Sequence, residues 1–258
     1  DSESRGLGDV YKRQFIYPVD STKRANDFLN ANNLEYRSGP YMQGEWLWPK
    51  EDILTWEFFH KNERAAWSDG SANIIHFPNE IIKLLPQNKR KLIIQAGGNA
   101  GLYPKLYSTM FEKVITFEPD HRWFVCLINN CPETNIFKFQ TALGNDNEPV
   151  KMVAPDFKGR KNLGANYIQA NGDIPKIKLD SLGVNPDCMH LDIEGSEWET
   201  IVGATQTIQR AKPLIVVEWN QSGGKYGWTD DKIAKLMTDL GYEVYKEWHR
   251  DRAYKHKD

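Results

Sequence analysis

Three observations predict an α/β fold of the doubly wound, Rossmann-like kind, with a mostly parallel sheet and helices on both faces. The chain has 258 residues, enough for one large domain with a substantial core. From Lys91 onward, short apolar runs alternate with segments of helical character, as in a parallel sheet built from crossover units. The first of those runs passes straight into a glycine cluster, "IIQAGGNAGLYPKLYS" at 93–108. A chain gives up side chains at Gly97, Gly98 and Gly101 where its backbone must turn tightly or approach something closely.

Residues 1–14, "DSESRGLGDVYKRQ", carry no apolar periodicity and join abruptly onto "FIYPVD"; they are expected to be a non-native or disordered tail. Residues 15–88 read as an N-terminal extension packed on the core, rich in aromatics at Trp46, Trp48, Trp56, Phe58, Phe59 and Trp67. Within it "DILTWEFFHKNERAAW" alternates too irregularly for a strand and predicts a short helix. "NEIIKLLPQ" predicts a helix from near Asn79, stopped by Pro86.

The main domain is placed at 89–258. "KLIIQ" suits a strand covered on both faces, "YPKLYSTMF" a helix and "KVITFEP" the next strand. "DHRWFVCLINN" is a helix with Asp120 as N-cap and Trp123, Leu127 and Asn130 on one face. "NIFKFQTAL" is the third strand, and residues 145–175, full of turn formers, read as an insertion. "DCMHLDI" is the fourth strand, and "SEWETIVGATQTI" a helix opened by a capping box from Ser196 to Glu199. "PLIVVEWN" is the fifth strand, "DDKIAKLMTDLG" a helix ended by Gly241, and "YEVYKEW" the final strand.

Composition excludes several function classes. Lysine plus arginine number 33 and aspartate plus glutamate 35, so there is no basic footprint for a nucleic acid. The runs Lys89 to Lys91 and His249 to Lys257 read as solvated surface. No apolar stretch approaches the ~20 residues that span a bilayer, so no membrane partner is expected. Cys126, Cys131 and Cys188 are odd in number and lack CxxC spacing, which suits reduced, buried thiols of a cytoplasmic protein.

In such a sheet, ligands bind beyond the carboxyl ends of the strands. The glycine loop offers open backbone there, with Asn99 able to donate and accept hydrogen bonds. Glu118, at the end of the second strand and about 20 residues on, suits two vicinal ribose hydroxyls. "GGNAG" lacks the GxGxxG spacing that admits a pyrophosphate. In "HLDIEG", His190, Asp192 and Glu194 share one face of an extended strand, where polar groups need a cavity, water or a partner. The Ser196 to Glu199 box serves the next helix, so neither carboxylate is required as a cap. His190 reads equally as a satisfied core histidine or a catalytic one, and Glu218 is a weaker candidate. A divalent metal shared by Asp192, Glu194 and Glu218 is weighed and not assigned, because strand-end carboxylates commonly hold none.

Taken together, "IIQAGGNAGLYPKLYS", "FEP", "TALG", "KLDSL" and "LDIEGSEWETIVGA" resemble the FkbM-type methyltransferases, class I enzymes that use S-adenosylmethionine, over about residues 75–245. The resemblance implies a seven-stranded sheet with one antiparallel hairpin at its edge. It also implies methyl transfer, most often to a hydroxyl of a sugar, glycan or small natural product. By resemblance Gln95, Gly97, Gly98, Asn99 and Gly101 serve the methionine end of the cofactor and Glu118 the ribose. Thr141, Ala142 and Leu143 flank the adenine. For a hydroxyl acceptor a general base is needed, and Asp192, which also borders the cofactor, is expected to orient or deprotonate the acceptor with His190 or Glu194 assisting. The family carries aspartate where this chain has Gln95 and commonly lysine where it has His190. Two rivals stand beside this reading: a ligand- or partner-binding protein without turnover, favoured by Gln95, and an NAD-dependent oxidoreductase on the same fold class.

Overall fold

The computed structural model describes residues 22–39, 42–61, 77–157, 159–219, 222–248 and 250–258. The tail at 1–14 and Trp67 lie outside the described residues. Helix α1 (Thr22–Ala31) leads into an antiparallel hairpin, β1 (Leu34–Gly39) and β2 (Met42–Pro49), followed by α2 (Leu54–Lys61) and α3 (Phe77–Ile82). Helix α3 starts two residues before the expected Asn79, because buried Phe77 and Pro78 fill its first turn, where proline's missing N–H costs nothing. Arg90 closes the segment after it, with Nη2 donating to Ile82 O at 3.0 Å and Leu85 O at 2.7 Å. That residue is therefore a structural clamp, not part of a solvated run.

The core continues with β3 (Leu92–Ala96), α4 (Leu102–Ser108), β4 (Lys113–Phe117), α5 (His121–Asn130) and β5 (Ile136–Phe139). Asp120 caps α5 as expected, accepting from Arg122 N at 2.9 Å, an arrangement worth about 1 kcal/mol. Next comes β6 (Ala142–Leu143); the insertion holds β7 (Val150–Val153), β8 (Asp156–Phe157), β9 (Arg160–Lys161) and β10 (Tyr167–Ala170), and β11 (Lys176–Ile177) follows it, the six strands being paired two by two. Then come β12 (Cys188–Leu191), α6 (Glu197–Val202), α7 (Thr205–Ala211), β13 (Leu214–Glu218), α8 (Asp230–Asp239), β14 (Tyr242–Glu247) and β15 (Asp251–His256).

Seven strands form the main sheet in the order β14-β15-β13-β12-β3-β4-β5. All the pairings from β13 to β5 are parallel, and β15 runs antiparallel to both neighbours. Strand β15 corrects the reading of His249 to Lys257 as solvated surface and of "YEVYKEW" as the last strand. Its buried positions hold Asp251, Ala253 and Tyr254, while the Arg252 guanidinium lies 3.6 Å from the centre of the Trp219 ring and pairs with Glu247. A strand with so many charges has little apolar alternation to show in sequence.

Two other elements are shorter than expected. "NIFKFQTAL" splits, since β5 ends at Phe139 and β6 pairs in parallel with β11 instead. "SEWETIVGATQTI" forms two helices, because the backbone at Gly203 packs on the loop at Gly144; a Cβ there would sit 1.9 Å from Gly144 O. The expected capping box is absent as well: Ser196 makes no side-chain cap. Glu197 does the local work instead, its Oε1 accepting from Ile193 N at 3.1 Å and Gly195 N at 3.2 Å.

The order of strands reverses at β3, with β4 and β5 on one side and β12 and β13 on the other. That switch point puts the loops after β3 and β12 side by side, where a doubly wound sheet opens a crevice. The hairpin β1–β2 covers α5 nearby: Asn130 accepts from Leu47 N at 2.8 Å and donates to Leu47 O and Ala100 O. Fully buried Trp48 meets Trp56 and Trp123 edge-on, with ring centres 5.1 and 5.0 Å apart.

Candidate active site

A cavity of about 660 Å³ opens at the switch point, within the range of small-molecule sites. Its floor is the glycine loop. Gly97 N and Gly98 N both donate to Phe117 O, at 3.0 and 2.9 Å, which ties the loop to the end of β4. A Cβ at Gly97, whose φ is +89°, would lie 1.9 Å from Asp192 O; one at Gly98 would crowd Leu127 and Thr116 at 2.9 Å. What the first two glycines approach is thus their own protein: their bareness lets β3, β4 and β12 close together beneath the cavity. Asn99, at φ +46°, turns the loop and accepts from Ala100 N through Oδ1.

Glu118 stands in the wall beside that loop. Its Oε2 accepts from Asn99 N at 2.7 Å and its Oε1 from Asp120 N at 2.8 Å, so one carboxylate braces two loops. Burial, aided by the nearby Asp120 charge, pushes its pKa from 4.5 up to about 8 against those two N–H donors. Thr141, Ala142 and Leu143 line the same end. Asn166 joins them from the insertion, donating to Asp120 at 2.8 Å and leaving its buried carbonyl oxygen without a partner in the cavity wall.

The opposite end is acidic. Asp192 and Glu194 follow β12 and Glu218 ends β13, and each offers a carboxylate oxygen within 4.8 Å of the others. Burial raises the pKa of all three, and their mutual repulsion adds to the effect at Glu194, pushed up to about 7, and at Glu218. Arg250 works against the rise, with Nη2 donating to Glu218 Oε1 at 2.7 Å. Tyr103, from α4, completes this end of the lining.

Residues 96–244, more than half of the chain, match the family model of the methyltransferase FkbM domain. The chain belongs to the FkbM methyltransferase family. Its domain is a methyltransferase domain, and the methyl donor of that family is S-adenosylmethionine. No curated protein sequence matches. Among solved structures, the FkbM methyltransferase from Methylobacillus flagellatus KT is 17% identical, with a TM-score of 0.45, over 65% of this chain and 44% of that one. This chain therefore spans less than half the length of that protein. The magnesium protoporphyrin IX methyltransferase of Synechocystis PCC 6803, with bound SAM, is 11% identical over 80% of this chain and 93% of that one, at a TM-score of 0.45. A TehB-like SAM-dependent methyltransferase from Corynebacterium glutamicum is 12% identical over 77% and 95%, at 0.43.

Three residues picked out from the sequence of this FkbM domain do not line its cavity. Gln95 is fully buried beneath the loop, with Nε2 donating to Ala96 O and Gly97 O and Oε1 accepting from Thr116 at 2.6 Å. An amide, which donates and accepts at once, satisfies that position as a carboxylate would not. Gly101, at φ +99°, faces α5, where a Cβ would meet Cys131 Sγ at 2.3 Å. His190 is fully buried among Phe77, Tyr103 and Tyr107, its Nδ1 2.9 Å from the Tyr107 hydroxyl. Burial lowers its pKa to about 3, so it is a neutral core histidine.

Other residues of the site carried little signal in sequence. Arg250 was hidden in the basic run before β15. The wall at Trp48, Thr55 and Leu163 meets at buried Asp52, which accepts from Trp48 Nε1 at 2.9 Å and Thr55 Oγ1 at 2.8 Å nearby in sequence and from Leu163 N at 3.1 Å across 111 positions. Among the described residues, no helix is long and apolar enough to cross a membrane.

Proposed function

We propose that this domain transfers a methyl group from S-adenosylmethionine to a hydroxyl oxygen of a sugar or a small natural product. One observation carries the reading: a single cavity runs from the Glu118 and glycine-loop end to the carboxylates Asp192 and Glu194. The residues fit the cofactor. Glu118 has spent one lone pair of each oxygen on backbone and keeps others for vicinal hydroxyls, and the unpartnered Asn166 oxygen suits an exocyclic amine. The acidic end favours a cation.

S-adenosylmethionine supplies an activated methyl group on a sulfonium, so the protein's own task is positioning and deprotonation. The loops after β3 and β12 hold donor and acceptor in one crevice. Asp192 orients the acceptor hydroxyl and takes its proton, with Glu194 beside it. Trp48 and the Leu163–Ala165 turn wall the same cavity. The three buried cysteines are free, in keeping with a reducing, cytoplasmic setting.

S-adenosylhomocysteine at 100 times its dissociation constant is expected to stabilise the protein by ~2.7 kcal/mol in a thermal melt, and NAD to leave the midpoint unchanged. Stabilisation by NAD alone would overturn the cofactor reading. Incubating a small-molecule extract with the protein and labelled S-adenosylmethionine, then reading label by mass spectrometry, identifies the acceptor. Label on nitrogen or carbon rather than oxygen would sink the hydroxyl assignment.

A further inference from the structure

We propose that Asp192, Glu194 and Glu218 form a binding site for one hard divalent cation at the acceptor end of the cavity. The three carboxylates come from the ends of two adjacent parallel strands, so the sheet fixes their separation. An oxygen of each lies within 4.8 Å of the other two. Two oxygens on one ion stand at most about 4.2 Å apart for magnesium and about 5 Å for calcium, from bond lengths of ~2.1 and ~2.5 Å. Three oxygens no more than 4.8 Å apart all lie within ~2.8 Å of one central point, so modest side-chain rotation brings them to the ~2.3–2.6 Å of calcium and a larger one to the ~2.1 Å of magnesium.

The second observation is an orphan. Glu218 has only 9% of its side chain exposed, and Arg250 binds its Oε1 at 2.7 Å. Its Oε2 is buried and has no hydrogen-bond partner. A buried carboxylate oxygen without a donor is costly, and Glu218 lines the cavity into which Asp192 and Glu194 also face. A cation among the three would satisfy that oxygen. Charge leads to the same place, since Asp192, Glu194 and Glu218, with Asp251 and Glu197 close by, face only Arg250 and Lys225 among the described residues. The donor set is all oxygen: His190 and the three thiols are elsewhere, which suits magnesium, manganese or calcium rather than zinc or copper. The ion's remaining positions would receive two neighbouring oxygens of the acceptor, a role that rests on the methyl-transfer reading; the binding itself does not.

Manganese, read by electron paramagnetic resonance, tests the binding on the full chain without cofactor. One Mn²⁺ per chain is expected below the ~1 mM of weak sites. Glu194→Gln and Glu218→Gln should each weaken it by about tenfold or more, the scale of losing a metal partner. Glu218→Gln leaves Arg250 without its carboxylate, so its fold is checked by circular dichroism; the less buried Glu194 gives the decisive variant if it fails. No saturable Mn²⁺ binding, or unchanged binding in Glu194→Gln, overturns the proposal. Stabilisation by S-adenosylhomocysteine without Mn²⁺ binding removes the cation alone. Mn²⁺ binding without that stabilisation removes the cofactor reading alone.

Discussion

Asparagine in place of Asp192 is expected to leave the fold and the cofactor affinity nearly intact while turnover falls by ~10²–10⁴-fold, the usual contribution of a positioned general base. The substitution keeps the side chain's shape and removes one negative charge from a crowded cluster with Glu194 and Glu218, so the fold has no reason to weaken. The backbone of Asp192, whose N donates to Ala96 O at 3.2 Å and whose carbonyl lies under Gly97, is untouched. What is lost is a carboxylate able to receive the acceptor's proton. Burial raises the pKa of Asp192, and Arg250 only partly opposes it, so this carboxylate is a stronger base than an exposed one. With divalent cations chelated, wild-type turnover should therefore rise with pH through a value above the ordinary carboxylate range, and the variant should lack that rise. Kinetics at saturating cofactor are the deciding measurement, because a binding defect is masked there and a chemical one is not. Full turnover in Asp192→Asn would return the polar end of "HLDIEG" to a structural role.

The parallel core was readable because its strands are buried on both faces and one of its helices, α5, carries its own start signal. The strands β3, β12 and β13 are almost wholly buried runs, and Asp120 caps α5 by local chemistry alone. The parts that escaped depend on partners distant in sequence. Leu163 N reaches Asp52 across 111 positions and Gly164 N reaches Thr55 across 109, and no periodicity marks such pairs. Gln95 and His190 show a different limit. Residue type and strand position marked both as polar at the sheet's working end, but register decided their fate. His190 lies beside Gln95, and Gln95 beside Thr116, in a polar row across three strands that stops short of the cavity. Asp192, two residues beyond His190, clears the sheet and lines the cavity.

Glu118→Ala should do the reverse of Asp192→Asn and act on binding. A hydrogen bond to a charged group is worth about 1.5–3 kcal/mol, so losing two ribose hydroxyl contacts predicts a loss of ~10²–10⁴-fold in affinity for S-adenosylhomocysteine. Alanine also strands Asn99 N and Asp120 N, which loosens both loops at once. Glu118→Gln separates these effects, since an amide still accepts one bond but does not titrate. The pH dependence has a definite sign. In the ligand-free protein the carboxyl titrates at about 8 rather than 4.5, so the folded state holds the extra proton between those values. Its contribution to stability is then fully present below 4.5 and is lost as pH rises through 8. Ribose hydroxyls donate to the charged form, so binding favours the carboxylate, and affinity should climb with pH up to about 8 and level off above it. Isothermal titration of the wild type and Glu118→Gln between pH 6 and pH 9 checks this, at a limit of about tenfold per pH unit. The difference between the two proteins isolates the share of Glu118 from other titrating groups. Parallel pH profiles for both would show that its proton plays no part in holding the cofactor, and undiminished affinity in Glu118→Ala would remove it from the ribose altogether.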